Sequence, residues 1–570
     1  MDEKIEKLRL SKDSGYKYRE RRQNDWRENY TLYRDKVTIN RLTQRQSVNI
    51  PLMKQVIRTL LKDVDDMPVI YFENLDNDKE KEVFQNEYWN WTVDKNNLSV
   101  KDIVDKRQVF MFGRSFDQMQ IADGMVKFTI QDPQDILVDR YLDPTDLDTS
   151  RFLIHPHIFV PLKVIENNEN YNKEAIKKLK DFHKSTSGLL KSKQNEDMLT
   201  EKNQRMIDMG LEDVIDPVLG ETYVELTLNF VYDDERGDEE LFLRVTADDM
   251  SLLRDDPLDE VIGKTKDDYW KTHFPYNTWA DDVDRQDFWS DGIADIIRTP
   301  NKVLNAWFSQ LVENRTLRNF GMNYYDGSIA GEFAPQTFNP QPWGWYKIPG
   351  DPNKMIKRVD IPDLSESLDE MQFVINLAEK ATGATPTQQG NIAERQITLG
   401  EVELALGEAK ERVKGMSKFY TPAWQQRGKK FLKLIEAGSD KLDAVKIYKK
   451  GRNTDKVFER EIGPNDWMSK SGYQEKVWSQ DEKQAQDTEE LQKFNAVVTN
   501  IPGNTKLLEI YKRKLLEFAK LSPEEINEVM EEEERKAEMF ANAGLQQPQP
   551  GMGQPNQQPQ PNLEPIQPQQ

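Results

Sequence analysis

The chain contains no cysteine and only four histidines among its 570 residues. The lack of cysteine excludes disulfide bonds, thiolate catalysis and cysteine-ligated zinc. No stretch approaches the roughly 18 apolar residues that a membrane-spanning helix needs, and the first residues have no apolar segment typical of a signal peptide. No internal period of roughly 20–50 residues is visible. A secreted disulfide scaffold, a membrane channel and a repeat solenoid are therefore disfavoured.

Acidic residues outnumber basic ones overall, but basic residues predominate in two segments. The chain has 79 Lys and Arg against 100 Asp and Glu, which gives a net charge of −21. So acidic a chain is not a general DNA-coating protein, because non-specific DNA affinity comes from Lys and Arg that neutralise phosphates. Basic residues predominate only in the first 36 residues (11 against 8) and in 400–452 (13 against 7).

The basic first segment also carries aromatic residues at helical spacing. Trp26, Tyr30 and Tyr33 follow one another at intervals of four and three, so they share one helical face. We interpret this face as packing on the core. Stacking on a nucleic acid is the alternative interpretation.

Helical and strand patterns are mixed over the first 290 residues. A helical pattern runs from 47 to 65 and ends before Pro68, and 163–215 is charged and mostly helical. Strands are predicted over 69–72, 125–130, 223–232 and 241–245, the last two as a hairpin. This part of the chain is therefore predicted to be α+β.

Two predicted helices then flank a short β-containing segment. Thr299 is predicted as the N-cap of the first helix, with Pro300 as its first residue. Residues 319–362 are rich in turns and aromatics and are predicted to contain strands. The second helix begins at the N-cap Asp363 and ends before Gly383. We expect the two helices to run antiparallel, with the β segment at their far end.

The remainder is mostly helical and ends in a low-complexity tail. Pro422 is expected to kink or restart the long helix. The predicted elements are a polar loop over 384–394, a long helix over about 395–436, a hairpin over 445–462, helices over about 481–499, 504–520 and 523–541, and a disordered tail over 546–570 with 10 Gln and 7 Pro.

Motifs for nucleotide or metal chemistry are weak. Gly263 to Thr265 is the nearest match to a phosphate-binding loop, but Leu258 stands where that loop needs a glycine. We interpret it as an exposed turn. His155 and His157 flank Pro156 without a visible third ligand, so packing or surface roles are favoured over metal binding.

Acidic and nucleophilic patterns are equally indecisive. Asp139, Asp143, Asp146 and Asp148 lie close together, which leaves a divalent-cation or nuclease site open, but the central glycine of an EF-hand is missing. No Gly-x-Ser-x-Gly nucleophile elbow is present. We therefore predict solvated turn acids, no catalytic residues, no metal, no cofactor and no enzymatic activity.

The order of these elements resembles that of the portal proteins of tailed bacteriophages. The resemblance covers about residues 15–540, with the most similar segments at 24–34 with 46–51, at 132–139 and at 290–314. It implies an α+β, multidomain portal architecture. Its parts are an α/β wing (1–290), stem helix 1 (291–318), a small β-containing clip (319–362), stem helix 2 (363–383), a tunnel loop (384–396), a long kinked helix returning to the wing (397–465), a helical crown (466–545) and a disordered Gln/Pro-rich tail (546–570).

The resemblance also implies a function. Portal proteins form a ring, usually a dodecamer, at one capsid vertex, through which double-stranded DNA is packaged and ejected. In such a ring, we expect the basic region from Lys410 to Arg452 to contact neighbouring acidic subunits rather than DNA. The implied partners are further copies of the chain, the major capsid protein, the terminase large subunit, the head–tail adaptor and the passing DNA, with no membrane. The implied location is the virion, after assembly in the bacterial host cytoplasm. The alternatives are a metal-dependent nuclease and a non-ring virion adaptor or scaffold protein.

Two groups of residues are candidates for contact with partners. The clip aromatics are interpreted either as the core of a small β unit or as a docking surface. The channel-facing candidates of the tunnel loop are Thr387, Gln388, Gln389, Asn391, Glu394 and Arg395, and the clip docking candidates are Trp343, Trp345 and Tyr346.

Overall fold

A computed structural model describes most of the first half of the chain and selected segments of the second. The described residues are 2–35, 39–40, 45–46, 48–63, 67–185, 223–232, 240–248, 250–320, 323–325, 356–358, 367–383, 419–450, 457–478 and scattered helical residues between 488 and 535. The chain divides into two compact units, Met1–Val445 with Ile462–Gln480 and Lys446–Glu461 with Asp481–Gln570. All residues discussed below belong to the first unit unless stated otherwise.

Helices occur along the whole described chain. Their ends follow local rules: Asp78 caps α3 by accepting from the backbone N–H of Lys81 at 3.2 Å, and Gly113, at φ +81°, ends α4. The helices are α1 (Asp2–Tyr33), α2 (Leu52–Asp63), α3 (Lys79–Asn96), α4 (Leu98–Phe112), α5 (Leu162–Asn167), α6 (Lys173–Ser185), α7 (Leu258–Ile262), α8 (Ile293–Phe320), α9 (Ser367–Thr382), α10 (419–437) and α11 (Pro464–Trp467).

The strands form antiparallel sheets. A five-stranded sheet has the order β10-β9-β8-β7-β6, a three-stranded sheet has the order β11-β4-β5, and the others pair in twos as β1-β2, β3-β16, β12-β13 and β14-β15. The strands are β1 (Ile39–Asn40), β2 (Arg45–Gln46), β3 (Val69–Asn74), β4 (Arg114–Ala122), β5 (Met125–Gln131), β6 (Leu137–Val138), β7 (Phe152–Pro161), β8 (Tyr223–Tyr232), β9 (Leu241–Ala247), β10 (Ser251–Pro257), β11 (Tyr276–Ala280), β12 (Asn323–Tyr325), β13 (Ile356–Arg358), β14 (Val445–Lys450), β15 (Val457–Ile462) and β16 (Tyr473–Trp478).

The pair β3–β16 joins segments that are far apart in sequence. Val69 lies opposite Trp478, and Asn74 lies opposite Tyr473. Next to this pair, the Asp76 carboxylate accepts hydrogen bonds from the Ser469 hydroxyl at 2.6 Å and from the backbone N–H of Ser471 at 3.1 Å. The last strand of the first unit is thus held to the beginning of the chain by both backbone and side chains.

The main core lies where α1, α2, α4 and α8 meet the sheets. Trp26 is fully buried and packs edge-to-face on Trp289, with ring centroids 5.2 Å apart. Tyr30 and Tyr33 are half-buried against the same core. The aromatic face of the first segment therefore packs on the core, as predicted, since burying such large rings is strongly favourable.

The mixed α+β character and most predicted elements of the first unit are confirmed. The predicted strands appear as β3, β5, β8 and β9, with β8 and β9 antiparallel, and the hairpin predicted over 445–462 appears as β14–β15. The helix predicted over 47–65 is shorter and begins at Leu52.

The predicted start of the first flanking helix at Thr299 and Pro300 is wrong. That helix, α8, begins at Ile293 and contains Pro300 in its interior. Pro300 lacks the N–H that would bond the carbonyl of Ile296, whose side chain lies on the exposed side of α8. Burial of Ile293 and Ile297 on the opposite side favours the longer helix.

The second unit is described in less detail. It contains most of the hairpin β14–β15 and helical residues between 488 and 535. The predictions for 186–222, 326–355, 384–418 and 546–570 lie outside the described residues. No described helix is both long and apolar enough to cross a bilayer.

Candidate functional site

The beginning of α8 is fixed by a close approach of two backbone segments. A Cβ on Gly113 would lie 1.7 Å from the carbonyl oxygen of Ser290, and one on Gly292 would lie 2.7 Å from the carbonyl oxygen of Phe110. Gly113 also has φ +81°, a conformation that side chains disfavour. The end of α4 and the beginning of α8 therefore touch backbone to backbone.

Asp295, in the first turn of α8, joins this crossing to α1. Its carboxylate accepts from the backbone N–H of Gly292 at 2.9 Å and from the side chains of Arg22 at 2.7 Å and Asn29 at 3.0 Å. Arg298 adds a further contact at 3.0 Å. An acidic residue at a helix N-terminus is also favoured by the helix dipole. One buried carboxylate thus holds α1 and α8 together.

Ion pairs join α1 to other elements of the first unit. Lys302 of α8 lies 2.6 Å from Glu28, and Lys4 lies 2.9 Å from Asp255 in β10. Both pairs are partly exposed, so each stabilises the fold only slightly. Lys4, in the basic first segment, and Lys302 are thus both paired with acids of the same chain.

A second row of contacts joins α8 to the beginning of α2. The backbone N–H of Met53 donates to Asn301 Oδ1 at 3.0 Å, and that of Ile50 donates to Asn305 Oδ1 at 2.7 Å. These N–H groups lie at the N-terminus of α2, where no intrahelical acceptor is available. Sequence reasoning missed this role, although two asparagines four residues apart on an apolar helix face are a usable signal.

Helix α9 returns alongside α8 after the two-stranded sheet β12–β13. Asn323 pairs with Arg358 in this antiparallel sheet. Met371 and Ala378 of α9 are buried in the main core. Gly383, at φ +82°, ends α9, and its N–H donates to the carbonyl of Glu379 at 2.8 Å, as the sequence predicted. The predicted N-cap Asp363 lies outside the described residues.

Helix α10 is joined to other elements of the first unit by a buried arginine. Arg427 is only 3% exposed. Its Nε donates to Asp117 Oδ1 at 2.8 Å, and one terminal nitrogen donates to Asp105 Oδ2 at 2.7 Å. Asp105 also accepts from Trp279 Nε1 at 2.7 Å, and Asp117 accepts from Asn277 Nδ2 at 2.9 Å. One guanidinium therefore links α10 to α4 and to β4.

A neighbouring pair completes what we name the charge cluster. Lys106 Nζ lies 2.7 Å from Asp102 Oδ2, and the Tyr420 hydroxyl donates to the same carboxylate. The Lys106 ammonium lies 4.7 Å from the centre of the Tyr420 ring. The charge cluster consists of Asp102, Asp105, Lys106, Asp117 and Arg427.

Burial perturbs the acid–base properties of the charge cluster. It raises the pKa of Asp102 and of Asp117, and the attraction of Lys106 and Arg427 opposes this shift. For Arg427, burial acts to lower the pKa, but the carboxylates of Asp105 and Asp117 outweigh it, so its pKa is raised. Arg427 is therefore charged at all ordinary pH values.

Other basic residues of α10 also find partners within the chain. Lys430 donates to the carbonyls of Tyr276 at 2.7 Å and Phe274 at 2.9 Å, and Lys433 lies 2.9 Å from Asp267. The basic region from Lys410 to Arg452 was expected to contact neighbouring subunits. For Arg427 and Lys430 this expectation is wrong, because both side chains are buried against acids and carbonyls of the same chain. Lys433 is partly exposed and pairs with acids of the same chain.

Gly263, in the segment compared above with a phosphate-binding loop, packs against the end of α10. A Cβ on Gly263 would lie 2.0 Å from the carbonyl oxygen of Ala437, at the end of α10. Its φ of +132° is a conformation that other residues rarely adopt. The Thr265 hydroxyl accepts from the backbone N–H of Tyr269 at 2.8 Å. The segment is a turn, but the expectation that it is exposed is wrong for Thr265, which is buried, and for Gly263, which packs closely against α10.

The two neighbouring histidines have different partners. His155 Nδ1 lies 3.0 Å from the Tyr276 hydroxyl. His157 Nε2 lies 2.8 Å from the Tyr16 hydroxyl, and its Nδ1 lies 2.9 Å from Glu225 Oε1. Both rings are buried and packed, as the sequence interpretation favoured.

Of the predicted solvated turn acids, Asp143 and Asp146 are exposed, but Asp139 is buried, so the prediction is wrong for Asp139. Asp143 accepts from the backbone N–H of Thr145 at 2.9 Å, and Asp139 pairs with Arg151 at 2.5 Å. Within the described ranges, no group of three or more His, Asp or Glu residues is arranged to hold a metal ion.

The candidate contact residues of the clip and the tunnel loop lie outside the described residues. A scan against protein-family models finds no match, and neither does a search of curated proteins. Function is therefore inferred from the chain's own residues and their arrangement.

Proposed function

We propose that this chain is a portal protein. In this proposal it forms a ring-shaped channel, a dodecamer, at one vertex of a viral capsid, and double-stranded DNA is packaged and ejected through the ring. The ring also provides a docking platform for the terminase and then for the tail adaptor. The observation that carries the proposal is the excursion α8–β12/β13–α9, which leaves an α+β unit and returns to it before α10.

The dimensions of α8 support a stem role. Its 28 residues correspond to about 42 Å of helix. Leu304 is fully buried, but from 306 to 319 every residue whose burial is described is half-buried or exposed. The far half of α8 therefore has little cover within the described chain, which suits a helix that packs beside its copies in a ring.

The outer side of α9 supports the same role. Phe373 is 67% exposed and Leu377 is 53% exposed, whereas Met371 and Ala378 on the other side are buried against α8. Two large apolar side chains four residues apart on an open helix face favour an interaction surface. In the proposed ring, this surface meets the neighbouring subunit.

The charge of the chain suits a DNA conduit. A ring of such chains multiplies the net charge of −21. An acidic passage repels DNA phosphates, so the duplex slides instead of binding tightly. We further propose that the loop 384–396 contacts the moving DNA and that the segment 319–362 docks the terminase and the adaptor.

The test is the native mass of the purified full chain, together with negative-stain images of the same sample. We expect particles of about 800 kDa, twelve times the 66.7-kDa chain, with end-on rings and a central hole. The double variant F373S/L377S should weaken ring formation, whereas V100S, at an equally exposed site on α4, should not. A monomer that cuts DNA with magnesium or manganese would instead establish the nuclease alternative.

A further inference from the structure

A cavity with basic walls lies on the side of the first unit formed by α1 and the five-stranded sheet. Its volume is about 750 Å³. Three parts of the chain contribute to it: the first half of α1, the turn between β6 and β7, and strands β8 and β9 with Thr272. We name it the basic cavity and define it by Lys4, Lys7, Arg140, Tyr141, Arg151 and Arg244.

The lining of the basic cavity has the opposite charge from the chain. Five basic residues line it against two acidic ones, Asp139 and Asp148, so the lining carries +3 in a chain of −21. Both carboxylates are already occupied. Asp139 pairs with Arg151 at 2.5 Å, and Asp148 accepts from the backbone N–H of Phe274 at 2.8 Å. An anion is therefore attracted to this cavity.

Two of the basic side chains contact the same carboxylate, and a third has no partner among the described residues. Lys4 and Arg244 share a single carboxylate, that of Asp255, at 2.9 and 2.7 Å. Arg140 is exposed and has no hydrogen-bond or ion-pair partner among the described residues. Guanidinium groups bind phosphate oxygens in pairs, so Arg140 is well suited to hold a phosphate group.

An exposed aromatic ring stands beside these charges. Tyr141 is 80% exposed, so its ring does not contribute to the core. The Arg151 guanidinium lies 5.8 Å from the ring centre. Behind them, Leu8 and Phe152 form an apolar floor. An open tyrosine next to arginines provides a surface on which a nucleobase can stack.

We propose that the basic cavity binds a nucleoside phosphate, with the phosphates at Arg140 and the neighbouring basic residues and the base on Tyr141. The volume lies in the range of small-molecule sites, about 300–1,000 Å³. A free nucleotide and the terminal nucleotide of a single strand present the same chemistry. The proposal concerns one subunit alone, so it does not depend on ring formation.

Binding is measured on the full chain with ATP, tripolyphosphate and a fluorescein-labelled ten-nucleotide single strand, in low salt. Arg140→Gln should weaken binding of all three by about tenfold, since it removes a charged contact worth about 1.4 kcal/mol. Tyr141→Ala should weaken ATP and the single strand several-fold but leave tripolyphosphate unchanged. Arg58→Gln, at an exposed arginine of α2, is the matched control and should change nothing.

The two sources are separated by competition. Displacement of the labelled strand by ATP identifies a free nucleotide as a ligand, whereas binding of the strand alone identifies a strand end. Either supports the proposal. Equal effects of R140Q and R58Q, a loss of tripolyphosphate binding in Y141A, or equal competition by a polyglutamate peptide would overturn it. So would the absence of binding at millimolar ligand. A protein that forms rings but does not bind these ligands would refute the nucleoside-phosphate proposal and leave the portal proposal standing.

Discussion

Replacing Arg427 by methionine tests whether the charge cluster holds α10 against α4 and β4. The substitution keeps a long apolar stem but removes the guanidinium that contacts Asp105 and Asp117 at 2.7 and 2.8 Å. Two buried carboxylates then face each other without a cation. Removing one partner of a buried ion pair costs about 3–5 kcal/mol, because an uncompensated charge is left behind.

The loss of stability in R427M should become smaller as the pH falls. Burial already raises the pKa of Asp117, and the positive charge of Arg427 opposes this shift, so without Arg427 the pKa of Asp117 lies further above the value in the unfolded chain. The native state of the variant then binds more protons than the unfolded state, so its stability rises as the pH falls. For each additional proton bound by the native state, the free energy of unfolding rises by about 1.4 kcal/mol per unit decrease in pH. The deficit of R427M relative to the natural sequence should therefore narrow between pH 7.5 and 5.5.

The assay is hydrogen exchange of backbone amides in α4 and in residues 424–436, read by mass spectrometry. A deficit of about 3 kcal/mol corresponds to opening that is more than about 100-fold more frequent. Lys429→Met is the matched control, since Lys429 is an exposed cation on the same helix. A deficit in R427M below about 1 kcal/mol, or one that does not change with pH, would refute the reasoning.

Two further predictions concern backbone geometry and a surface carboxylate. Gly113→Ala should lower the free energy of unfolding by more than about 3 kcal/mol, because the new Cβ would overlap the carbonyl of Ser290. The control Gly472→Ala, at φ +87° with no atom within 4 Å, should lower it by about 1 kcal/mol, and equal shifts in melting temperature would contradict this prediction. Hydrogen bonds from Ser469 and its neighbours hold the pKa of Asp76 well below its usual range, so this carboxylate stabilises the fold above about pH 4 and less as the pH falls through the folded-state pKa. Asp76→Asn should therefore have a lower urea midpoint than the natural sequence at pH 7, with the difference shrinking towards pH 2, and equal midpoints at pH 7 would show that these hydrogen bonds do not matter.

Local patterns predicted the elements that local physics determines. The spacing of Trp26, Tyr30 and Tyr33 follows from the helical repeat. Gly383 could be predicted as a helix end because the left-handed backbone conformation that ends a helix is a local property that favours glycine. The same holds for the alternation that predicted β8 and β9. In each case the interacting residues are close in sequence.

Features that depend on distant partners were not predictable in this way. Arg427 contacts Asp105 across 322 positions of the chain, and nothing in its neighbourhood distinguishes it from the exposed Lys429. Pro300 misled the prediction of a helix start because helix propensity ignores packing, and the burial of Ile293 and Ile297 extends α8 past it. The basic cavity likewise brings together residues from α1, β9 and the turn before β7.

The pairing of β3 with β16 also governs when the first unit can finish folding during synthesis. Val69 lies opposite Trp478, so the ribosome adds roughly 400 residues between the two strands. At about 5–20 residues per second, β3 waits for tens of seconds without its partner strand. An open strand edge is a template for aggregation, so a chaperone or a transient partner strand is most useful to this protein in that interval.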